Sequence, residues 1–311
     1  MHNNYIFFLN IRDINVTLPH EVVPGYTLTK ANASQNKEIS SRLKLIAPRP
    51  EGQDLPHEEE RIKRQGAGFR YKRLSEDELT YYIVLMGKGE DRGLFCKAAM
   101  LATPEWIEGF IASTHRPGAG RSYAYSRLIV HNYLSRLDIN RGLFLTLNEV
   151  DIADVRTQYN KIKVHDHALL DIKSLISQYT ELLGYDHASH LRLLGYFSII
   201  ENMITHAPEP KDPYDSIGRQ IRSKIALLNN RFSEQIDYQH YFGSEANPKT
   251  IWKRLYEYRS SIAHGSEANF NGNLKLLKNR TNAREFVISV VKQLLRHALD
   301  EPELIRDIKQ C

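Results

Sequence analysis

Arg259, Ser260 and His264 share one short stretch, Tyr256-Glu257-Tyr258-Arg259-Ser260-Ser261-Ile262-Ala263-His264-Gly265. An imidazole with an ordinary pKa near ~6.5 can take up and release a proton around neutrality. A guanidinium is permanently charged, and its rigid fork of N–H donors matches phosphate oxygens. The hydroxyl of Ser260 can position the arginine or a bound phosphate. Together these groups suit proton transfer at a phosphorus centre that gains negative charge, without a metal ion. The spacing by itself is weak evidence. With 13 histidines in 311 residues, roughly one Arg-x4-His arises by chance. Basic residues also gather at helix C-termini through the macrodipole.

The elements around the stretch add weight. Asn247-Pro248 is a helix start, with the proline in the first turn. Trp252, Leu255, Arg259, Ile262 and Ala263 then follow a helical stripe, and Gly265 is a natural C-terminal stop. On such a helix Tyr256, Ser260 and His264 fall on one drifting i, i+4, i+8 line. Arg259 lies about 140° from His264 at ~100° per residue. One regular helix cannot easily aim both at one phosphate, so either its end frays or two chains build the site together. An arginine near a core face also needs an anionic partner, and Glu201, near the end of the helix expected over 189–204, is either that partner or a plain surface residue. Tyr256 could stack on a base, bond the backbone or simply pack.

The pattern Tyr-x-x-Arg-Ser-x-Ile-x-His-Gly, with the helices around it, resembles the HEPN superfamily of ribonucleases, and within it the ApeA-like branch. The segment His190-Leu191-Arg192-Leu193-Leu194-Gly195-Tyr196-Phe197-Ser198-Ile199-Ile200-Glu201 is similar to the family's preceding helix, with its acidic residue near the end. The likeness covers about half of the chain, residues 166–310. It implies a metal-independent endoribonuclease with no cofactor, acting as a homodimer on cellular RNA such as tRNA. Arg259, Ser260 and His264 would be catalytic, supported by Glu201 and Tyr256. It further implies a toxin or phage-defence effector with an inhibitory or triggering protein partner. Ser266 stands where a subgroup paired with nucleotidyltransferases carries tyrosine, so that form of regulation is not implied. Lys275, Lys278, Arg280 and Arg284 form a basic run that could hold the RNA backbone, or a solvated face. The alternative function is a non-catalytic RNA- or protein-binding helical module.

The rest of the chain bounds these readings. Hydrophobic content of 41% and charged content of 25% describe a globular protein, and the +5 net charge with pI ≈ 9.0 tolerates a polyanion without requiring one. Cys96 and Cys311 are too few for a disulfide framework or a zinc site. No basic leader and no apolar run of ~20 residues occurs, which predicts a soluble, cytoplasmic protein without a membrane partner. The pairs His165/His167 and His187/His190 lack carboxylates or cysteines at ligand spacing, and the loop 115–121 lacks the Gly-Lys-Ser/Thr of a phosphate loop.

The fold class expected is α+β, with a β-rich N-terminal domain over 1–145, regulatory in role, and a helical HEPN-like domain over 146–311. Strands are expected at 5–11, 79–86, 94–101, 128–133 and 143–147, with a hairpin joining the second and third. A helix is expected at 34–46 and a surface loop at 48–68. Helices are then expected at 152–161, 168–183, 189–204 and 217–232, from Pro248 onward, and at 284–299. The proline-rich loop 207–215 separates two of them.

Overall fold

The structure, a computed structural model, describes residues 4–48, 54–63, 69–75, 77–87, 89–114, 120–165, 170–208 and 215–311. The fold is α+β: a sheet-rich N-terminal region and an all-helical C-terminal region. Two compact units result, Met1–Lys163 and Val164–Cys311.

The N-terminal unit contains β1 (Tyr5–Phe8), β2 (Ile11–Ile14), β3 (His20–Val23), β4 (Tyr26–Lys30), α1 (Ala33–Ile46), β5 (Glu59–Lys63), β6 (Phe69–Arg73), β7 (Tyr82–Met86), α2 (Arg92–Leu101), β8 (Glu108–Ser113), β9 (Ser122–Ala124), α3 (Arg127–Ile139), β10 (Leu145–Leu147) and α4 (Glu149–Val164). Six strands pair antiparallel in the order β3-β4-β7-β1-β8-β9. β10 runs parallel to β2, and β5 with β6 forms a separate hairpin. β1 is apolar at every position, Tyr5-Ile6-Phe7-Phe8, because it is central and covered on both faces. Side chains alternate across a strand. Phe8 accordingly meets Phe95 of α2 and Trp106, while Phe7 meets Tyr81 and Phe110. On the Phe8 side, Tyr26 stacks on Phe95 at 4.3 Å, and Tyr159 of α4 closes edge-on.

Several expectations need correction here. Residues 94–101 are not a strand but the buried helix α2, started by Asp91, whose side chain accepts the Gly93 and Leu94 N–H groups; the hairpin expected before it does not form. Residues 128–133 lie in α3, capped by Ser126, with Val130, Leu134 and Leu137 buried at helical spacing. Short apolar runs carry no period that separates buried strand from buried helix, and the caps decided both. The expected strand over 5–11 is two strands, β1 and β2, broken where the Leu9 N–H turns to the Ile107 carbonyl. Within the expected loop 48–68, Pro56–Glu58 forms a 3-10 turn and β5 follows it; residues 49–53 and 64–68 of that loop, residues 115–119 of the loop 115–121, His167, and residues 209–214 lie outside the described residues.

The boundary between the units also falls after Lys163 and not near 145. Helix α4 buries Ile152, Val155, Tyr159 and Ile162, and Arg156 Nε donates to the Val22 carbonyl at 2.8 Å. Its helical period resembles the C-terminal pattern, but its Tyr159 meets Tyr26 of β4 and Phe95 of α2, within the first unit.

The C-terminal unit contains α5 (Ile172–Leu182), α6 (His190–Ile204), α7 (Ile217–Asn229), α8 (Tyr238–Phe242), α9 (Pro248–Ala263), α10 (Arg280–Asp300) and α11 (Pro302–Gln310). Helix α6 is its centre, packed against α5, α7, α9, α10 and α11. Its buried side chains Leu193, Tyr196, Phe197, Ile199, Ile200, Met203 and Ile204 cover one broad face, while Leu191, Ser198 and Asn202 are exposed on the other. Phe286 of α10 joins α9 to α8 by ring contacts with Trp252, Tyr238, Tyr241 and Phe242. No helix among the described residues is long and apolar enough to cross a membrane.

Candidate active site

Helix α9 presents the motif, and its sequence explains both ends. Asn247 accepts the Thr250 N–H at 3.2 Å, with Pro248 at the first helical position, where a missing N–H costs nothing. The buried stripe is Ile251, Trp252, Leu255 and Tyr258. Ile262, expected in that stripe, is half-buried, and Tyr258 replaces it. At the C-terminus the Gly265 N–H meets the Ile262 carbonyl at 3.2 Å and the Ser266 N–H meets the Ser261 carbonyl at 2.8 Å. That is a Schellman motif, and Gly265 at φ +66° supplies its left-handed residue.

Arg259 leaves the helix toward the last turn of α6. Its Nη2 donates to Glu201 Oε2 at 3.2 Å, and its Nε lies 3.1 Å from Glu201 Oε1 as an ion contact whose angle makes no second hydrogen bond. The side chains are 29% and 21% exposed, so water screens the pair and its worth is about 1 kcal/mol rather than that of a buried bridge. The Arg259 guanidinium also lies 5.7 Å from the Tyr256 ring centroid. Tyr256 packs its ring onto α7 at Gly218, where a Cβ would sit 2.8 Å from the ring. Burial, then the Glu201 carboxylate, raise the Tyr256 hydroxyl pKa, with Arg259 opposing. Glu201, Arg259 and Tyr256 therefore form one cluster across α6, α9 and α7.

His264 is the C-cap residue, at φ −98° and ψ 4°, exposed, with its N–H on the Ser260 carbonyl at 3.0 Å. Ser260 is half-buried beside Arg259. The helix does not fray before His264, so the wheel separation of about 140° persists. Arg259 faces α6 while His264 stands in solvent at the cap.

The basic run divides. Lys275, Lys278 and Arg280 are exposed, and Lys278 adopts φ +61°. Arg284 departs from the expectation of a surface contact. It is buried, and its Nη2 donates to His187 Nδ1 at 2.7 Å. Its place on the α10 stripe with Val287 and Val291 accounts for this. Tyr258 sits near both Arg280 and Arg284, which counter the upward push of burial on its hydroxyl pKa. His187, weighed as half of a histidine pair, thus serves Arg284, and His165 Nε2 pairs with the Leu170 carbonyl at 3.0 Å. Among the described residues no cluster of three His, Cys, Asp or Glu side chains is placed to hold a metal ion. Gly218, Tyr258 and His187 were not legible as site neighbours, because each is set by a crossing between helices distant in sequence.

Compared with models of known protein families, with curated proteins and with solved structures, the chain matches none.

Proposed function

We propose that the protein is a metal-independent endoribonuclease of the HEPN type, acting as a homodimer on cellular RNA in the cytoplasm. One observation carries the reading: Glu201 and Arg259, nominated from separate helices, form an ion pair on the helix that ends in exposed His264. In the reaction the RNA 2′-hydroxyl attacks the adjacent phosphorus and the 5′-oxygen leaves, giving a 2′,3′-cyclic phosphate. His264 moves the proton, as general acid or base. Arg259 meets the extra charge on the phosphate oxygens. Glu201 takes up Nη2 and Nε of the guanidinium, and the Nη1 side is left for the anion. Because Arg259 and His264 diverge on one helix, a second copy completes the site across a two-fold axis. Ser260 and Tyr256 position the arginine, and Lys275, Lys278 and Arg280 hold the RNA backbone. A toxin or phage-defence role under control of a protein partner follows from the resemblance stated above.

The experiment is RNA 5′-end sequencing from cells expressing the wild type and His264→Ala, with purified protein assayed in EDTA. Wild-type cuts that persist in EDTA and vanish in the variant support the reading. RNA binding without cleavage by the wild type would move the protein to a binding module.

A further inference from the structure

The N-terminal unit contains a cavity of about 660 Å³, within the range of small-ligand sites. It lies among β2, the β5–β6 hairpin, β7 and the segment around Phe144. Nothing in the ribonuclease reading uses it.

Its walls combine rings with acids. Tyr71, Tyr82 and Phe144 line it. The Phe144 ring is fixed by His57 edge-on at 4.9 Å and by the Arg12 guanidinium 5.1 Å from its centroid. Four carboxylates, Asp13, Glu59, Glu60 and Glu78, face two permanent cations, Arg12 and Lys30. Arg12 is already committed to backbone: its Nη2 donates to the Glu59 carbonyl at 2.7 Å and its Nη1 to the Pro56 carbonyl at 3.5 Å. Glu78 is held by Lys72 at 2.9 Å, and Glu60 stands opposite Lys72 in the hairpin. An anionic ligand would meet an acidic wall with Lys30 as its main counter-charge. A cation finds carboxylates and the negative faces of aromatic rings. The Tyr82 hydroxyl pKa is raised by burial and then by the Asp13 carboxylate, consistent with ring and acid side by side.

We propose that this cavity binds an organic cation, a guanidinium or primary ammonium group on an aliphatic or peptide body. Asp13 pairs with its charge, and the rings of Tyr71 and Tyr82 lie against it. The inference stands apart from the ribonuclease reading.

The test titrates the full chain by calorimetry with agmatine and with a blocked arginine-containing peptide, using inorganic phosphate and glutamate as anionic controls. Saturable binding of either cation is expected, with agmatine identifying a free small molecule and the peptide a protein side chain. Asp13→Asn and Tyr71→Ala should each weaken it about tenfold. Tyr71 is 49% exposed, so its removal leaves the fold intact, which circular dichroism verifies. No saturation by either cation at millimolar concentration would overturn the proposal. So would tighter binding of phosphate or glutamate, or unchanged affinity in both folded variants.

Discussion

At the scale of single residues, His264 and Glu201 separate chemistry from architecture. The His264 ring is exposed, and the cap contact it makes is through its backbone N–H to Ser260. His264→Ala should therefore leave the melting temperature nearly unchanged while cleavage falls about 10²–10⁴-fold, measured by single-turnover kinetics. A folded variant that cuts at the wild-type rate would remove His264 from the mechanism. Glu201→Gln keeps the shape but not the charge. It should cost about 1 kcal/mol of stability and lower cleavage further than that loss explains, because Arg259 loses its orienting partner. Faster cleavage in this variant would mean that the pair restrains the arginine instead. In the other unit, burial pushes the Glu58 pKa up, but hydrogen bonds from Lys44, Ser40 and the Leu55 N–H outweigh it and leave the value below the ordinary 4.5. A depressed carboxyl pKa adds stability above its unfolded value that is lost as pH falls through the folded one. Acid unfolding of the wild type below about pH 4.5 should lose part of its pH dependence in Glu58→Gln, followed by tryptophan fluorescence of the N-terminal unit.

At the scale of elements, the candidate site is a product of how three helices cross. Gly218 lets Tyr256 lie on α7, and Tyr256 in turn flanks Arg259. Alanine is the better helix former by up to ~1 kcal/mol, yet its Cβ would stand 2.8 Å from the Tyr256 ring. The ring must move. Gly218→Ala should leave helix content unchanged and lower cleavage, whereas unchanged cleavage would show that the Tyr256 position is irrelevant to Arg259. The same scale shows what patterns reveal. The α9 start and stop were legible because Asn247, Pro248 and Gly265 act within a turn of themselves. Helices α2 and α3 were not, since their short apolar runs suit either type of buried element, and Asp91 and Ser126 settled the matter as caps.

At the scale of the molecule, the unit boundary and the dimer carry the predictions. A fragment of residues 146–311 retains α4, with its buried Ile152, Val155, Tyr159 and Ile162, but lacks β4 and α2, whose Tyr26 and Phe95 meet Tyr159. A fragment of residues 164–311 does not carry that apolar face. The shorter fragment should be the more soluble and monodisperse in size-exclusion chromatography; the reverse would show that α4 belongs with the helices. For the whole chain, the divergence of Arg259 and His264 predicts cleavage that falls on dilution to monomer. Mixed dimers of Arg259→Ala and His264→Ala chains should regain activity if one arginine and one histidine cooperate across the interface. A strictly monomeric protein by light scattering that cleaves at full rate would end the two-chain argument.

From the sequence by itself came the α+β class, the limits of the motif helix and Glu201 as a candidate partner for Arg259. Each rests on periodicity, on local capping, or on the cost of leaving an arginine near a core without an anion. Tertiary structure decided the rest. It buried Arg284 against His187, gave α4 to the first unit, and set Tyr256 over Gly218. These contacts depend on which faces meet between segments far apart in the chain. A helical period marks that a face is apolar, but it does not say which neighbour will cover it.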